Sequence, residues 1–377
     1  MSTEIPDICE RSPAYVRAIA PYEPGRPISE VARELGLDER TIVKLASNEN
    51  PLGVSPGVRE AIARELPELA RYPDGNAFGL KAALSAHHGL APERIVLGNG
   101  SNDILELVAA AFLAPGRAAV YSQHAFAVYP LATQARGAQS IVVPAENFGH
   151  DLQGMLAALT PQTRVVFIAN PNNPTGTFVS GRELSDFLDR VPSDVVVVLD
   201  EAYTEYLPAD CRYDSISWLK RHRNLVVTRT FSKAYGLAGL RVGYGLCDPK
   251  IADLLNRVRH PFNVNSLALA AAVAALADRE FVEKGCEINS SGMRQLTDGF
   301  SALGLEYIPS VGNFVSFRVP RAHDKARAGA VFQSLLRQGV IVRPVGGYGM
   351  PDHLRVTVGL PEENRKFLEA LKVALAP

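Results

Sequence analysis

RTFSKAYGLAGLRVGYG, residues 229–245, ends a β-branched run with one lysine, Lys233, set among hydroxyls, an aromatic ring and glycines. Most lysines lie on solvated faces beside acidic residues, but this segment holds no acid at all. Thr230 and Ser232 supply hydroxyls and Arg241 supplies a cation. With free backbone N–H groups, such a set coordinates a phosphate. A lysine partly desolvated beside a second cation has a lowered pKa, which an imine-forming amine requires. The plain alternative is a loop lysine in solvent, and the neighbours argue against it.

Outward from this segment the chain repeats one theme. NLVVTRTFS (224–232) belongs with RIVLGNG (94–100), AAVYS (118–122), SIVVPA (140–145), RVVFIANPNN (164–173) and DVVVVLDEA (194–202), all short apolar runs ending in turn or polar residues. Continuous apolar runs suit strands covered on both faces of a mostly parallel sheet. SNDILELVAAAFLA, DLQGMLAALT and GRELSDFLDRV lie between them as helix-like segments. The alternation predicts an α/β fold with its ligand site at the carboxyl ends of the strands. After about residue 276 the rhythm changes: a helical stretch, YIPSVGNFVSFRV, a helix near 324–338, GVIVRPV, HLRVTVGL and a closing helix from 361. The expected organisation is an N-terminal arm (1–40) packing with the small domain, a large cofactor-binding domain (41–275) and a smaller α+β domain (276–377).

Other chemistry-bearing residues fall just after the strand runs. Asp200 closes VVVVL; it is either a turn or cap residue, or a buried carboxylate that needs a cationic or donor partner to stay ionised. NPNNPTG (170–176) is either a rigid proline turn or a loop that fixes an asparagine amide at the strand ends. GNGSN (98–102) is either an ordinary capped helix start or an anion site built from free N–H groups. One lysine, one aspartate able to face a ring nitrogen and one phosphate cup are together the components of a pyridoxal-phosphate site.

The totals exclude other classes. At 377 residues, with 47% hydrophobic and 21% charged residues, the chain is long for one core and ordinary for a soluble protein. A formal net charge of −1 offers no basic field for nucleic acid or an anionic membrane. Cys9, Cys211, Cys247 and Cys286 lie far apart and form no zinc pattern or disulfide framework, so no metal is expected and a reducing cytosol fits. MSTEIPDICERSP lacks the apolar core of a signal peptide. SLALAAAVAALA (266–277) is too short to span a bilayer and is expected as a buried helix. The expected localisation is cytoplasmic.

NPNNPTG, DEAYTEY and RTFSKAYGLAGLRVGY occur in the order and spacing of fold-type I pyridoxal-phosphate aminotransferases, which the chain resembles over nearly its whole length. PYEPGRP, KLASNENPLG, RYPDG, LGNGSND, GVIVRP and LRVTVGLPEEN bring it closest to the histidinol-phosphate aminotransferases. The resemblance implies an aspartate aminotransferase-like fold and pyridoxal 5'-phosphate held by Lys233 as an internal aldimine, with Lys233 later moving a proton. It implies Asp200 at the pyridine nitrogen and Asn173 and Tyr203 at the phenolic oxygen. Ser101, Asn102, Thr230, Ser232 and Arg241 are implied for the phosphate and Phe126 for stacking on the ring, where many relatives have tyrosine. Tyr72 is implied to reach the phosphate from a neighbouring subunit, which requires a homodimer. Tyr22, Arg343 and Arg355 are implied, with Asn173, to bind substrate.

The implied reaction is ping-pong amino transfer between L-histidinol phosphate and 2-oxoglutarate, in histidine biosynthesis. PFNVNS (261–266) and VGGYGMP (345–351) resemble a branch acting on aromatic amino acids, and flat rings of similar size are poorly discriminated by an apolar pocket. Threonine-phosphate decarboxylases share the scaffold and the lysine. Non-catalytic regulators of this kind carry a DNA-binding module ahead of the domain, and here the sequence begins at the arm.

Overall fold

The computed structural model describes residues 7–321 and 327–376. Among these described residues, twelve strands run in chain order: β1 (Val43–Lys44), β2 (Ile95–Gly98), β3 (Ala118–Ser122), β4 (Gln139–Val143), β5 (Thr163–Ala169), β6 (Val196–Asp200), β7 (Leu225–Thr230), β8 (Gly243–Cys247), β9 (Phe314–Arg318), β10 (Val340–Ile341), β11 (Arg343–Pro344) and β12 (His353–Thr357). Seven of them form one sheet in the order β2-β8-β7-β6-β5-β3-β4. The pairs β3–β4, β3–β5, β5–β6 and β6–β7 are parallel, while β8 runs antiparallel to both its neighbours. This is the mostly parallel, helix-covered sheet that the apolar runs predict.

The β-branched composition explains the sheet's centre. Every residue of β6 is buried, and its side chains alternate between two core clusters, Val197 and Leu199 on one side and Val196 and Val198 on the other. Each fully buried valine contributes about 1.5–3 kcal/mol over an exposed one. β4 departs from the two-faced burial expected of SIVVPA, because it is the edge strand: Gln139, Ser140 and Val142 are exposed. β8, sequence GYGLC, lacks the β-branched signature and is not among the expected strands. Its glycines let it run beside the helix Ser101–Phe112, where a Cβ on Gly245 would stand 2.8 Å from Ile104. The alanine-rich run forms the helix Ser266–Ala277.

Beyond the helix Arg279–Ala302, strands β11-β12-β9 form an antiparallel sheet, with Phe300, Phe317 and Phe367 in its core. The expected helix near 324–338 is described from Ala328 to Arg337; residues 324–326 lie outside the described residues, as do 1–6 of the N-terminal stretch. β1 pairs in parallel with β10, and Val31 and Ala32 of the helix Ile28–Leu35 pack with Leu336 and Ile341. The N-terminal segment is thus tied to the C-terminal part of the chain. No helix among the described residues is long and apolar enough to cross a membrane.

Candidate active site

A cavity of about 210 Å³ opens at the carboxyl ends of β5, β6 and β7. It is lined by every expected site residue except Tyr72. The chain reaches it from distant parts: the helix start at Ser101, the proline turn after β5, Asp200 at the end of β6, the loop after β7, and Arg343 and Arg355 on β11 and β12.

Lys233 is partly buried, and its Nζ donates to the Ser47 carbonyl at 3.0 Å, 5.7 Å from the centre of the Tyr203 ring. Burial, then the positive field of Arg355, brings its pKa down to about 7; Arg241 adds to this, and Glu49 and Asp200 oppose it. The amine is therefore part-neutral at physiological pH, as a nucleophile must be.

Asp200 is buried, and two hydroxyls hold it: Tyr129 Oη donates to one carboxylate oxygen and Thr228 Oγ1 to the other, each at 3.0 Å. Burial raises its pKa, and those two bonds oppose the shift. No cation among the described residues pairs with it. A buried carboxylate without a cation fits a protonated ring nitrogen as the missing partner.

The helix Ser101–Phe112 begins after Gly100, which has φ +84° and gives no side-chain cap. The first N–H groups of a helix have no carbonyl one turn back, and the dipole there favours an anion. Arg241 faces this end: a Cβ on Gly100 would stand 2.4 Å from its Nη2. Its Nη1 donates to Ser232 Oγ at 3.2 Å and to the Ala238 carbonyl at 3.0 Å. Ser232 N in turn donates to Thr230 Oγ1 at 3.1 Å. Glycine, hydroxyls, helix start and guanidinium form an anion cradle that a side chain at position 100 would fill.

Phe126 lines the cavity and meets the Tyr129 ring edge-on at 5.9 Å. Tyr203 is buried, accepts from Asn48 Nδ2 at 2.9 Å, and has its pKa pushed up to about 12 by burial. Asn173 Oδ1 accepts from Arg355, while the Asn173 amide nitrogen has no partner among the described residues. Arg355 is buried, donates to the Ala46 carbonyl at 2.7 Å, lies 5.1 Å over Phe314, and keeps its Nε without a partner among the described residues. Arg343 donates to the Glu23 carbonyl at 2.6 Å and lies 5.5 Å over the Tyr22 ring. The plain alternative for Arg343 is a surface ion pair; it forms none among the described residues and lines the cavity instead.

Tyr72 stands apart. It is 82% exposed and stacks on Phe262 at 4.6 Å.

Sequence reasoning misses Ser47, Asn48, Tyr129, Thr228 and Tyr348, all of which touch or line this site. Asn48 has φ +56°, a left-handed conformation that asparagine tolerates. That local chemistry is the available signal in KLASNENPLG. Tyr129 follows Phe126 by three residues, a spacing that places both on one side of a helical turn.

The donor set fits pyridoxal 5'-phosphate: a near-neutral amine, a buried carboxylate with no cation, and an anion cradle at a helix start. The chain belongs to the aminotransferase class I and II family, which matches residues 40–371. It is 60% identical over 369 residues to histidinol-phosphate aminotransferase 2 of Nitrosospira multiformis, covering 98% of this chain and 93% of that protein. The crystal structure of histidinol-phosphate aminotransferase from Sinorhizobium meliloti in complex with pyridoxal-5'-phosphate superposes with a TM-score of 0.88 at 27% identity, covering 97% of each chain. Aspartate aminotransferase from Thermus thermophilus with maleate shares the fold, with a TM-score of 0.82 at 23% identity over 96% of this chain and 98% of that one.

Proposed function

We propose that the protein transfers the amino group of L-histidinol phosphate to 2-oxoglutarate, giving imidazole acetol phosphate and L-glutamate, as a step of histidine biosynthesis. Relatives bearing that activity in their names at 60% identity or above over nearly the whole chain support the reading. The observation that carries it is the pair of cavity-lining guanidinium groups, Arg355 and Arg343, neither with a carboxylate partner among the described residues. Histidinol phosphate has no α-carboxylate, so its acidic end is a phosphate, and a doubly charged tetrahedral anion suits two guanidinium forks.

Bound pyridoxal phosphate supplies the carbonyl that takes up the amino group and the ring that disperses the electrons released at the substrate Cα. Lys233 would hold it through Nζ, and a pKa of about 7 lets that nitrogen take up and return a proton near neutrality. Asp200 would keep the ring nitrogen protonated, with Tyr129 and Thr228 fixing the carboxylate's orientation. Tyr203 and the amide of Asn173 would hold the phenolic oxygen, Phe126 would cover the ring, and Ser101, Asn102, Thr230, Ser232 and Arg241 would hold the phosphate. Tyr22 would share the phosphate with Arg343 and Arg355, and in the other half-reaction glutamate shares the pocket, with Arg355 on its α-carboxylate.

Two finer statements belong to the same reading. The protein works as a homodimer in the cytoplasm, Tyr72 entering the partner's site. Leu66, Leu69, Tyr72 and Phe78 are all exposed in one short stretch, as surface destined for a partner would be. The arm, large domain and small domain are proposed with the boundaries given above. The test of the chemistry is Lys233→Ala: multiple turnovers by that variant would refute the assignment, and loss of turnover with cofactor still bound supports it.

A further inference from the structure

VGGYGMP (345–351) connects the two arginine strands, and the activity as assigned makes no use of it. Its tyrosine, Tyr348, lines the same cavity as Arg355, Arg343 and Tyr22. The backbone of the loop that carries it is fixed. Val345 and Met350, on either side, are buried with Ile308. Tyr348 N donates to the Val345 carbonyl at 3.0 Å, and Gly349 closes the turn at φ +75°.

The decisive contact comes from elsewhere in the chain. His124, buried, meets the Tyr348 carbonyl with Nδ1 at 2.6 Å. The His124 carbonyl accepts from Asn172 Nδ2 at 2.9 Å, one residue from Asn173 in the proline turn. The loop carrying Tyr348 is thereby tied through one histidine to the wall that holds the Asn173 amide. The ring of His124 lies against Phe148 at 5.8 Å, and Phe148 against His353 at 5.5 Å, which leaves the imidazole little freedom.

We propose that Tyr348 is a specificity-determining residue, donating its hydroxyl hydrogen to the phosphate end of the amino donor, and that His124 is the residue that positions it. The inference rests on the assignment of a phosphorylated donor. A phosphate offers three terminal oxygens in a tetrahedral array, more than the two coplanar oxygens of a carboxylate that one guanidinium fork saturates. A third donor beside the two arginines therefore favours phosphate and adds little for carboxylate. The phenol is within electrostatic reach of Arg355, Tyr22 and Arg343, and burial raises its pKa, so it remains a donor at neutral pH. Tyr22, whose ring lies under Arg343, lines the same cavity and is a further hydroxyl beside the two arginines.

The test uses the holoenzyme and compares half-reaction kcat/KM for L-histidinol phosphate and L-glutamate in wild type, Tyr348→Phe, His124→Ala and His124→Asn. Removing one hydrogen bond to a charged group is expected to lower the histidinol phosphate/glutamate ratio about tenfold or more in Tyr348→Phe. His124→Ala is expected to lower the same ratio, and His124→Asn, which keeps an N–H donor, to restore much of it. Equal losses for both donors, or an unchanged ratio, overturn the proposal. Inorganic phosphate as a competitive inhibitor of the glutamate reaction separates this from the donor assignment. Wild type unable to convert histidinol phosphate contradicts that assignment, whereas phosphate inhibition as strong in Tyr348→Phe as in wild type contradicts the role of Tyr348.

Discussion

Arg343 and Arg355 are direct cross-strand partners on the antiparallel pair β11–β12, two like charges side by side in one cavity. Such a pair is unfavourable in a sheet, and burial together with the field of Arg343 lowers the Arg355 pKa. No acid among the described residues relieves either arginine, so the pair is a charge arrangement waiting for an anion.

Arg355→Met should therefore separate activity from stability. Loss of a buried charged donor removes about 3 kcal/mol of transition-state stabilisation, a drop on the order of a hundredfold in kcat/KM for both donors. The thermal midpoint should fall by only a few degrees, because an apolar side chain of similar length also removes an unpaired buried charge. Steady-state kinetics and calorimetry on one preparation check both halves.

Lys233 should set the pH dependence of cofactor attachment. Its pKa is lowered to about 7, so below that pH the amine is protonated and unreactive, and above it the amine is free. The rate of reconstitution of apo-protein with pyridoxal phosphate should rise with pH through a midpoint near 7 and level off, rather than climb toward the ordinary lysine value. Stopped-flow absorbance on either side of that midpoint measures this.

Gly100 keeps the anion cradle open. An alanine there is strained at φ +84° and places a methyl group 2.4 Å from Arg241 Nη2, so Arg241 must move. Gly100→Ala should weaken cofactor binding tenfold or more, seen by titrating apo-protein with pyridoxal phosphate, with circular dichroism unchanged.

Glu205 gives a stability prediction. Burial raises its pKa to about 7, against the opposing field of Arg229, and its Oε2 has no partner among the described residues. A folded-state pKa above the unfolded value means that the contribution is full below about pH 4.5 and is lost as pH rises through 7. Glu205→Gln should be on the order of 1–3 kcal/mol more stable than wild type at about pH 8, with little advantage at about pH 4.5. Denaturant titrations at the two pH values decide it.

The sheet's centre was legible because β-branched runs such as DVVVVLDEA have one stable use, burial on both faces. β8 was not, since its glycines are there for closeness to the Ser101 helix and leave no apolar pattern; nor was the two-residue strand β1, which is too short to show a period, whereas β10 and β11 fall within GVIVRPV. Lys233 and Asp200 were legible because a lysine among hydroxyls with no acid nearby and an aspartate closing an apolar strand stand out in the sequence, whereas Arg355 came only through the resemblance carried by LRVTVGLPEEN. Asn48, Tyr129 and Ser47 were not. Their roles come from what folds against them: Tyr203, Asp200 and Lys233, each more than seventy residues away in the chain.

The identity of the amino donor decides whether the two arginines have been read correctly. Single-turnover reaction of the holoenzyme with L-histidinol phosphate, L-phenylalanine and L-threonine phosphate, followed by the cofactor's absorbance and by carbon dioxide release, measures it. Histidinol phosphate should convert the cofactor fastest, with imidazole acetol phosphate formed and no carbon dioxide. An unchanged spectrum with histidinol phosphate while phenylalanine converts the cofactor, or carbon dioxide released from any of the three, would contradict the assignment.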